Sequence, residues 1–130
     1  VEFQLDPESR IIDIPERINR EKIVTIIGNL LENAIEAAHE NKSKPHTVKL
    51  SMTDYGNDLI FEVEDSGQGV DEKSVDLSFQ HGFSTKSGTG RGVGLSLVHE
   101  NLKFIGGQLT AARSNIGGMR FTIYIPKHQN

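Results

Sequence analysis

The stretch REKIVTIIGNLLENAIEAAH, Arg20 to His39, decides the fold. Ile23, Ile26, Ile27, Leu30, Leu31, Ala34, Ile35 and Ala38 recur in it at spacings of three and four, which predicts an amphipathic helix with one face turned to a core. Asn19 is placed to cap it. Before it, Val1 to Ile14 mixes short apolar pairs with Asp, Pro and Ser, suggesting one or two short strands that end at Pro15. After it, Asn41 to His46 is a polar loop, and Thr47 to Thr53 alternates Val48, Leu50 and Met52 with polar partners, as a half-buried strand does. A turn at Asp54 to Asp58, containing Gly56, leads to a second strand at Leu59 to Val63, and the two form an antiparallel hairpin. Asp65 to Val70 is a glycine-bearing loop, Asp71 to Gln80 holds at most a short helix, and His81 to Arg91 has the composition of a lid-like loop. Gly92 to Ile105 predicts a second helix with Val93, Leu95, Leu97, Val98, Leu102 and Ile105 on its apolar side and a stop at Gly106-Gly107. Two strands follow, Gln108 to Ser114 and Met119 to Ile125, joined by Asn115-Ile116-Gly117-Gly118 and ended by Pro126. Strands and helices do not alternate regularly. The pattern therefore favours an α+β fold, a two-layer sandwich with helices on one face of a largely antiparallel sheet.

Composition narrows the function classes. A chain of 130 residues with 35% hydrophobic content suits one domain, residues 1–130, able to fold without staples. The absence of cysteine excludes thiol catalysis, cysteine-bound zinc and disulfides, and suits a reducing compartment. No apolar run is long enough to span a bilayer, nothing resembles a signal peptide, and the expected location is cytoplasmic. A net charge of −4 with scattered basic residues argues against nucleic acid as a partner. Glycine is the outlier at 13 residues, concentrated from Gly67 to Gly118, where the backbone must turn tightly or approach something closely.

Four constellations carry candidate chemistry. Asn29 and Asn33 are four apart, so both carboxamides lie on one helical face beside the apolar stripe. Asparagine is a poor residue for a helix interior, which points to a ligand, although two solvated amides would look the same. Asp65-Ser66-Gly67-Gln68-Gly69 follows a strand; its carboxylate could accept from an exocyclic amine and its glycines could let backbone approach a flat ligand, yet an ordinary Asp-Ser-Gly turn has the same sequence. Phe79-Gln80-His81-Gly82-Phe83-Ser84-Thr85-Lys86 could anchor a loop by its aromatic rings and present hydroxyls and an ammonium to phosphate, or be a surface loop with buried phenylalanines. Gly88-Thr89-Gly90-Arg91-Gly92-Val93-Gly94 runs into a helix start, where free amides and the helix dipole favour an anion. No strand precedes these glycines, which excludes a dinucleotide-binding turn, and no Gly-Lys-Ser or Gly-Lys-Thr follows, which excludes a P-loop.

Taken together, the order and spacing of the four resemble the N box, the first glycine box, the F box and the second glycine box of the histidine kinase catalytic domain, within the ATPase superfamily of gyrase, Hsp90, histidine kinases and MutL. The resemblance runs from about Ile23 to Pro126. It implies a Bergerat-type ATP site in which Asn33, helped by Asn29, holds Mg²⁺, Asp65 binds the adenine amine, and Gly67, Gly69 and Val70 shape the pocket. Phe79, Ser84, Thr85 and Lys86 would belong to the ATP lid, Lys86 with a catalytic role beside Asn29 and Asn33. Gly90, Arg91, Gly92, Val93, Gly94 and Leu95 would line the phosphates. The wording of Thr25 to Ala34, of Gly82 to Lys86 and of Arg91 to Leu95 is similar to the citrate and C4-dicarboxylate sensor kinases.

Two departures stand out. Glu36 occupies a position where many histidine kinases carry a basic residue, leaving Lys86 or Arg91 to make that phosphate contact. Met119, in Gly117-Gly118-Met119-Arg120-Phe121, stands where the family has a threonine, which weakens the final glycine motif without touching the nucleotide assignments. The hydrolytic branches place a glutamate one turn before the key asparagine; here that position is Asn29, so water activation is unsupported. Phosphoryl transfer needs Mg²⁺ and positive charge to hold the γ-phosphate in line, and little else from the domain. None of His39, His46, His81, His99 and His128 sits in a sequence like the family's phosphoacceptor helix. The resemblance thus implies a histidine kinase domain that takes ATP and Mg²⁺, phosphorylates a histidine on a separate dimerisation domain of the same kinase, and feeds a response regulator. The parent would be an inner-membrane sensor, with no direct membrane contact by this domain, which would be a monomer by itself. A serine-kinase anti-sigma factor of the same ATP-binding fold is the alternative.

Overall fold

The computed structural model describes residues 1–11, 13–41, 46–54, 56–67 and 91–128, with the side chains of 91–95 excepted. Helix α1 spans Arg20–Glu40, one residue beyond its predicted end. Its start is set as the sequence implied: the Asn19 side chain accepts from the Lys22 amide at 3.2 Å, satisfying one of the orphan donors of the first turn. Ile23, Ile26, Leu30, Ala34 and Ala38 are its buried stripe. Ile35, expected in that stripe, is exposed, and so is Val24 on the same flank.

The strands are β1 Glu2–Leu5, β2 Thr47–Thr53, β3 Asp58–Asp65, β4 Gln108–Arg113 and β5 Met119–Pro126. They form one sheet in the order β1-β2-β3-β5-β4, parallel between β1 and β2 and antiparallel elsewhere. Short antiparallel connections join β2 to β3 and β4 to β5, and the last strand in the chain is inserted between β3 and β4. Helix α2, Arg91–Ile105, begins one residue earlier than predicted. It stops at Gly106, whose φ of 73° only glycine adopts without strain, while the Gly107 amide donates back to the Leu102 carbonyl at 2.8 Å. The predicted segments from 68 to 90 lie outside the described residues.

Both helices pack on one face of the sheet and on each other. The core joins the α1 stripe and Val98, Leu102 and Ile105 of α2 to Val48, Leu50, Leu59, Phe61, Val63, Ile123 and Ile125. Leu97, expected on the apolar side of α2, is exposed. The other sheet face is polar: Lys49 is in register with Glu64, and Glu64 with Arg120, so neighbouring strands set opposite charges side by side. The α+β sandwich expected from the sequence is therefore the architecture. Among the described residues no helix is long and apolar enough to cross a membrane.

The topology also gives the helices a direction. Just before α1, Arg17 donates to the carbonyls of Pro126 and Lys127, so the helix starts over the end of the sheet where β5 finishes. At its far end the Asn41 side chain reaches the Ser66 carbonyl, just beyond β3. Helix α2 runs the opposite way: its Phe104 ring lies 4.9 Å below the Lys22 ammonium of α1, and β4 leaves beside Tyr124. A 15-residue helix is about 22 Å long, comparable to a strand of six to eight residues, so α2 starts toward the Asp65 end of the sheet.

Candidate functional site

Along β3 the inward positions are Leu59, Phe61, Val63 and Asp65, alternating with half-buried neighbours. Asp65 is thus the last residue of a core-facing row rather than the first of a loop, and a carboxylate occupies the position where an apolar side chain would continue the pattern. It is 2% exposed. An ionised carboxylate so buried needs donors, and backbone amides supply them. Its Oδ1 accepts from Gly67 N at 2.8 Å and from Met119 N at 3.4 Å, and its main-chain carbonyl accepts from Gly118 N at 3.0 Å.

The chain around Asp65 is pinned from three sides. The Ser66 hydroxyl accepts from Thr47 N at 2.7 Å, and Ser66 N donates to the Thr47 carbonyl at 3.0 Å, extending the β2–β3 pairing by one residue. Asn41, the C-cap of α1, donates from Nδ2 to the Ser66 carbonyl at 2.7 Å, and its own carbonyl lies 2.7 Å from His46 Nε2. Gly67 abuts α1 itself: a Cβ placed there would stand 2.9 Å from the Ala37 carbonyl and 2.8 Å from Asp65 Oδ1, so a side chain at 67 would push the strand end off the helix.

That contact links the second constellation to the first. Asn29, Asn33 and Ala37 follow at intervals of four and share one helical face, so the two asparagines form a row that ends where Asp65 and Gly67 meet the helix. The row is half-buried. Asn29 Nδ2 donates to the Thr25 carbonyl at 2.8 Å, which settles its nitrogen on the helix and turns its oxygen outward. Asn33 makes no side-chain hydrogen bond to any described residue. The start of α2, holding Arg91, Gly92, Val93, Gly94 and Leu95 in its first turn and a half, lies toward the same end of the sheet, and the first-turn amides of a helix have no partner within the helix itself. Gly69, Val70, Phe79, Ser84, Thr85, Lys86 and Gly90 lie outside the described residues.

The Gly117-Gly118-Met119 segment bears on Asp65 through its backbone. Met119, which stands where the resemblance puts a threonine, donates its amide to Asp65 Oδ1 at 3.4 Å and buries its side chain. The turn before β5 therefore does touch the carboxylate. Asn41 and Gly118 were also passed over; the Gly117-Gly118 pair was a signal of close approach, whereas nothing in the sequence marks Asn41 as a clamp.

An acceptor-only carboxylate in a buried corner, an amide row leading away from it and a helix start nearby suit a ligand with an amine at one end and phosphates at the other. The family model described as histidine kinase-, DNA gyrase B-, and HSP90-like ATPase matches residues 18–129. The chain belongs to this family. Among ATPase domains of this kind it is 40% identical, over 99% of its length, to the sensor protein CitS of Halalkalibacterium halodurans, and 32% identical, over 98%, to a probable C4-dicarboxylate sensor kinase of the same organism. It spans 24% of the length of each, about a quarter of those relatives. Among solved structures, the catalytic domain of histidine kinase ThkA superposes with a TM-score of 0.73 at 30% identity, over 96% of this chain and 78% of that one. This is a histidine kinase-type catalytic ATPase domain, as the motifs implied.

Proposed function

We propose that the domain binds ATP with Mg²⁺ and passes the γ-phosphoryl group to a histidine on a separate helical domain of a longer sensor kinase, for relay to a response-regulator aspartate. The observation that carries this reading is the Asp65 carboxylate, buried and held by backbone amides at the sheet end where Gly67 abuts the helix that carries Asn29 and Asn33. Asp65 accepts from the adenine amine, and Gly67 with Gly69 and Val70 forms the floor beneath the base. The first turn of α2 and the glycines leading into it receive the phosphates, with Ser84, Thr85 and Lys86 closing over them and Phe79 anchoring that loop. Asn33 and Asn29 offer neutral carboxamide oxygens, and among the described residues no cluster of three or more acidic, histidine or cysteine side chains is present to hold a cation alone. Such a donor set fits a Mg²⁺ ion that arrives with the nucleotide and keeps phosphate and water as its other ligands. Bound there, the ion would offset charge on the phosphate oxygens.

The domain contributes alignment and electrostatics, and the acceptor imidazole attacks while ADP leaves. No carboxylate on the asparagine row sits one turn before Asn33 to activate water, so transfer is favoured over hydrolysis. Residues 1–130 act as one unit, in the cytoplasm, with the dimerisation and sensing parts supplied by the rest of the protein.

The test is incubation with γ-labelled ATP and Mg²⁺, with and without the separately expressed acceptor domain. Acid-labile, base-stable label on the acceptor, lost when its histidine is replaced, is the expected result. Acid-stable label on a serine, or phosphate release with no labelled acceptor, would overturn the reading.

A further inference from the structure

Gly118 lies 53 residues beyond Asp65 in sequence, and its Cα rests directly against the carboxylate. A Cβ built on Gly118 would stand 1.9 Å from Asp65 Oδ1, 2.6 Å from the Asp65 carbonyl oxygen and 2.6 Å from Gly67 N, far inside contact distance. Two of those three atoms are backbone, so no side-chain rotation relieves the overlap. The same residue is fixed from both sides, its amide donating to the Asp65 carbonyl at 3.0 Å and its carbonyl accepting from Ser114 N at 2.8 Å. The next amide, Met119 N, reaches Oδ1 itself at 3.4 Å.

Resting on the reading of Asp65 as the base-binding carboxylate, we infer that the Gly118-Met119 segment is the positioning element that sets the rotation of that carboxylate and so the choice of base. A carboxylate turns about its Cβ–Cγ bond, and an acceptor that can turn adapts to many donors. With Oδ1 committed to the Gly67 and Met119 amides and the Gly118 Cα packed against it, the carboxylate plane has one orientation. Its second oxygen then has a fixed direction. A purine with an amine at position 6 presents a donor to that oxygen, whereas a purine with a carbonyl there presents a second acceptor, which repels it. The discrimination is a property of the turn before β5 as much as of Asp65. Any side chain at 118 must displace the carboxylate, Gly67 or both.

The experiment compares the affinities of ATP and inosine triphosphate, which differ in that one group, for the wild type, Gly118→Ala, Asp65→Ala and the double variant. Gly118→Ala is expected to weaken ATP by about tenfold or more, the effect of one charge-assisted hydrogen bond, and to leave inosine triphosphate within about twofold. Adding Gly118→Ala to Asp65→Ala is expected to change ATP affinity by less than about twofold, because the group it positions is already gone. Equal losses for both nucleotides, or losses that multiply in the double variant, would mean a purely structural role and overturn the inference. A wild-type preference for ATP that survives Asp65→Ala would reject the base-binding role itself, a separate failure read from a separate variant. Should Gly118→Ala not fold, Met119→Pro is compared with Met119→Ala, which removes the same buried side chain but keeps the second donor, and a further loss of about threefold is expected for ATP alone.

Discussion

The two ends of the site are built on opposite principles. The Asp65 corner is held by protein backbone and side chains: the Gly67 and Met119 amides on Oδ1, the Gly118 amide on the carbonyl, and Ser66 clamped between Thr47 and Asn41. Along α1, Asn33 is half-buried, and no described residue bonds its side chain. Under the function proposed above, a corner held before ligand arrives would read the base by rigid complementarity. Asn33 would be completed by the ligand, and a side chain that no described residue bonds costs the fold little to change. Stability and function should therefore separate along the site.

Asn33→Ala should give the largest functional loss with the least structural effect. Phosphotransfer to the acceptor is expected to fall by about a hundredfold or more, as for a residue that positions the reacting phosphate, while thermal unfolding shows a domain unchanged or stabilised by about half a kcal/mol, because alanine is the better helix former. A large drop in melting temperature would break the contrast. Next comes Asp65→Ala, which should strike both properties: ATP affinity falling by about tenfold to a hundredfold, and stability by about 1–3 kcal/mol as the Gly67 and Met119 amides lose their acceptor in a buried place. Calorimetric titration and chemical denaturation measure the two. Ser66→Ala should lower stability by about 1–2 kcal/mol through the unpaired Thr47 amide and leave the preference for ATP over inosine triphosphate unchanged, since the hydroxyl props the corner without facing the base. Removing Mg²⁺ with EDTA should weaken ATP binding in the wild type and have no further effect on Asn33→Ala, which places the ion at the asparagine end alone. The smallest expected change belongs to Lys22→Ala, about 0.5–1 kcal/mol of stability from the lost contact with the Phe104 ring, read by denaturation.

How much of this the sequence contained depended on distance along the chain. Strand β2 was legible to the residue because Val48, Leu50 and Met52 alternate with polar neighbours, and α1 was legible because its stripe repeats at helical spacing and Asn19 caps it. Local rules act over a few residues, and these elements obey them. Phe3 and Leu5 follow the same alternation as a buried strand yet are exposed, because β1 is the sheet's edge and no described helix covers it. Leu97 failed likewise, since which side of a helix is covered depends on what packs against it. Asn29, Asn33 and Asp65 stood out only through the resemblance of the four motifs taken together, since each alone reads equally as solvated amides or an ordinary turn. Their meeting was not legible, because it passes through the contact of Gly67 with Ala37 and of Gly118 with Asp65, pairs 30 and 53 residues apart. Asp65 was assigned to a loop because the run of apolar residues stops at Val63. Counting by twos from Leu59 would have carried the strand one inward position further.

The insertion of β5 between β3 and β4 has a consequence for how the molecule comes into being. During synthesis the ribosome delivers both neighbours before the strand that joins them, so β3 waits with one edge bare and β4 has nothing to pair with until Met119 to Pro126 emerge. Such non-local pairing raises contact order and slows folding. The nascent chain can make its α1 and β2–β3 hairpin early but can hold no finished Asp65 corner, since the Gly118 and Met119 amides that grip Asp65 arrive last. Competence to bind is thus acquired in one late step, and a chain interrupted before that step carries no half-working kinase domain into the cell.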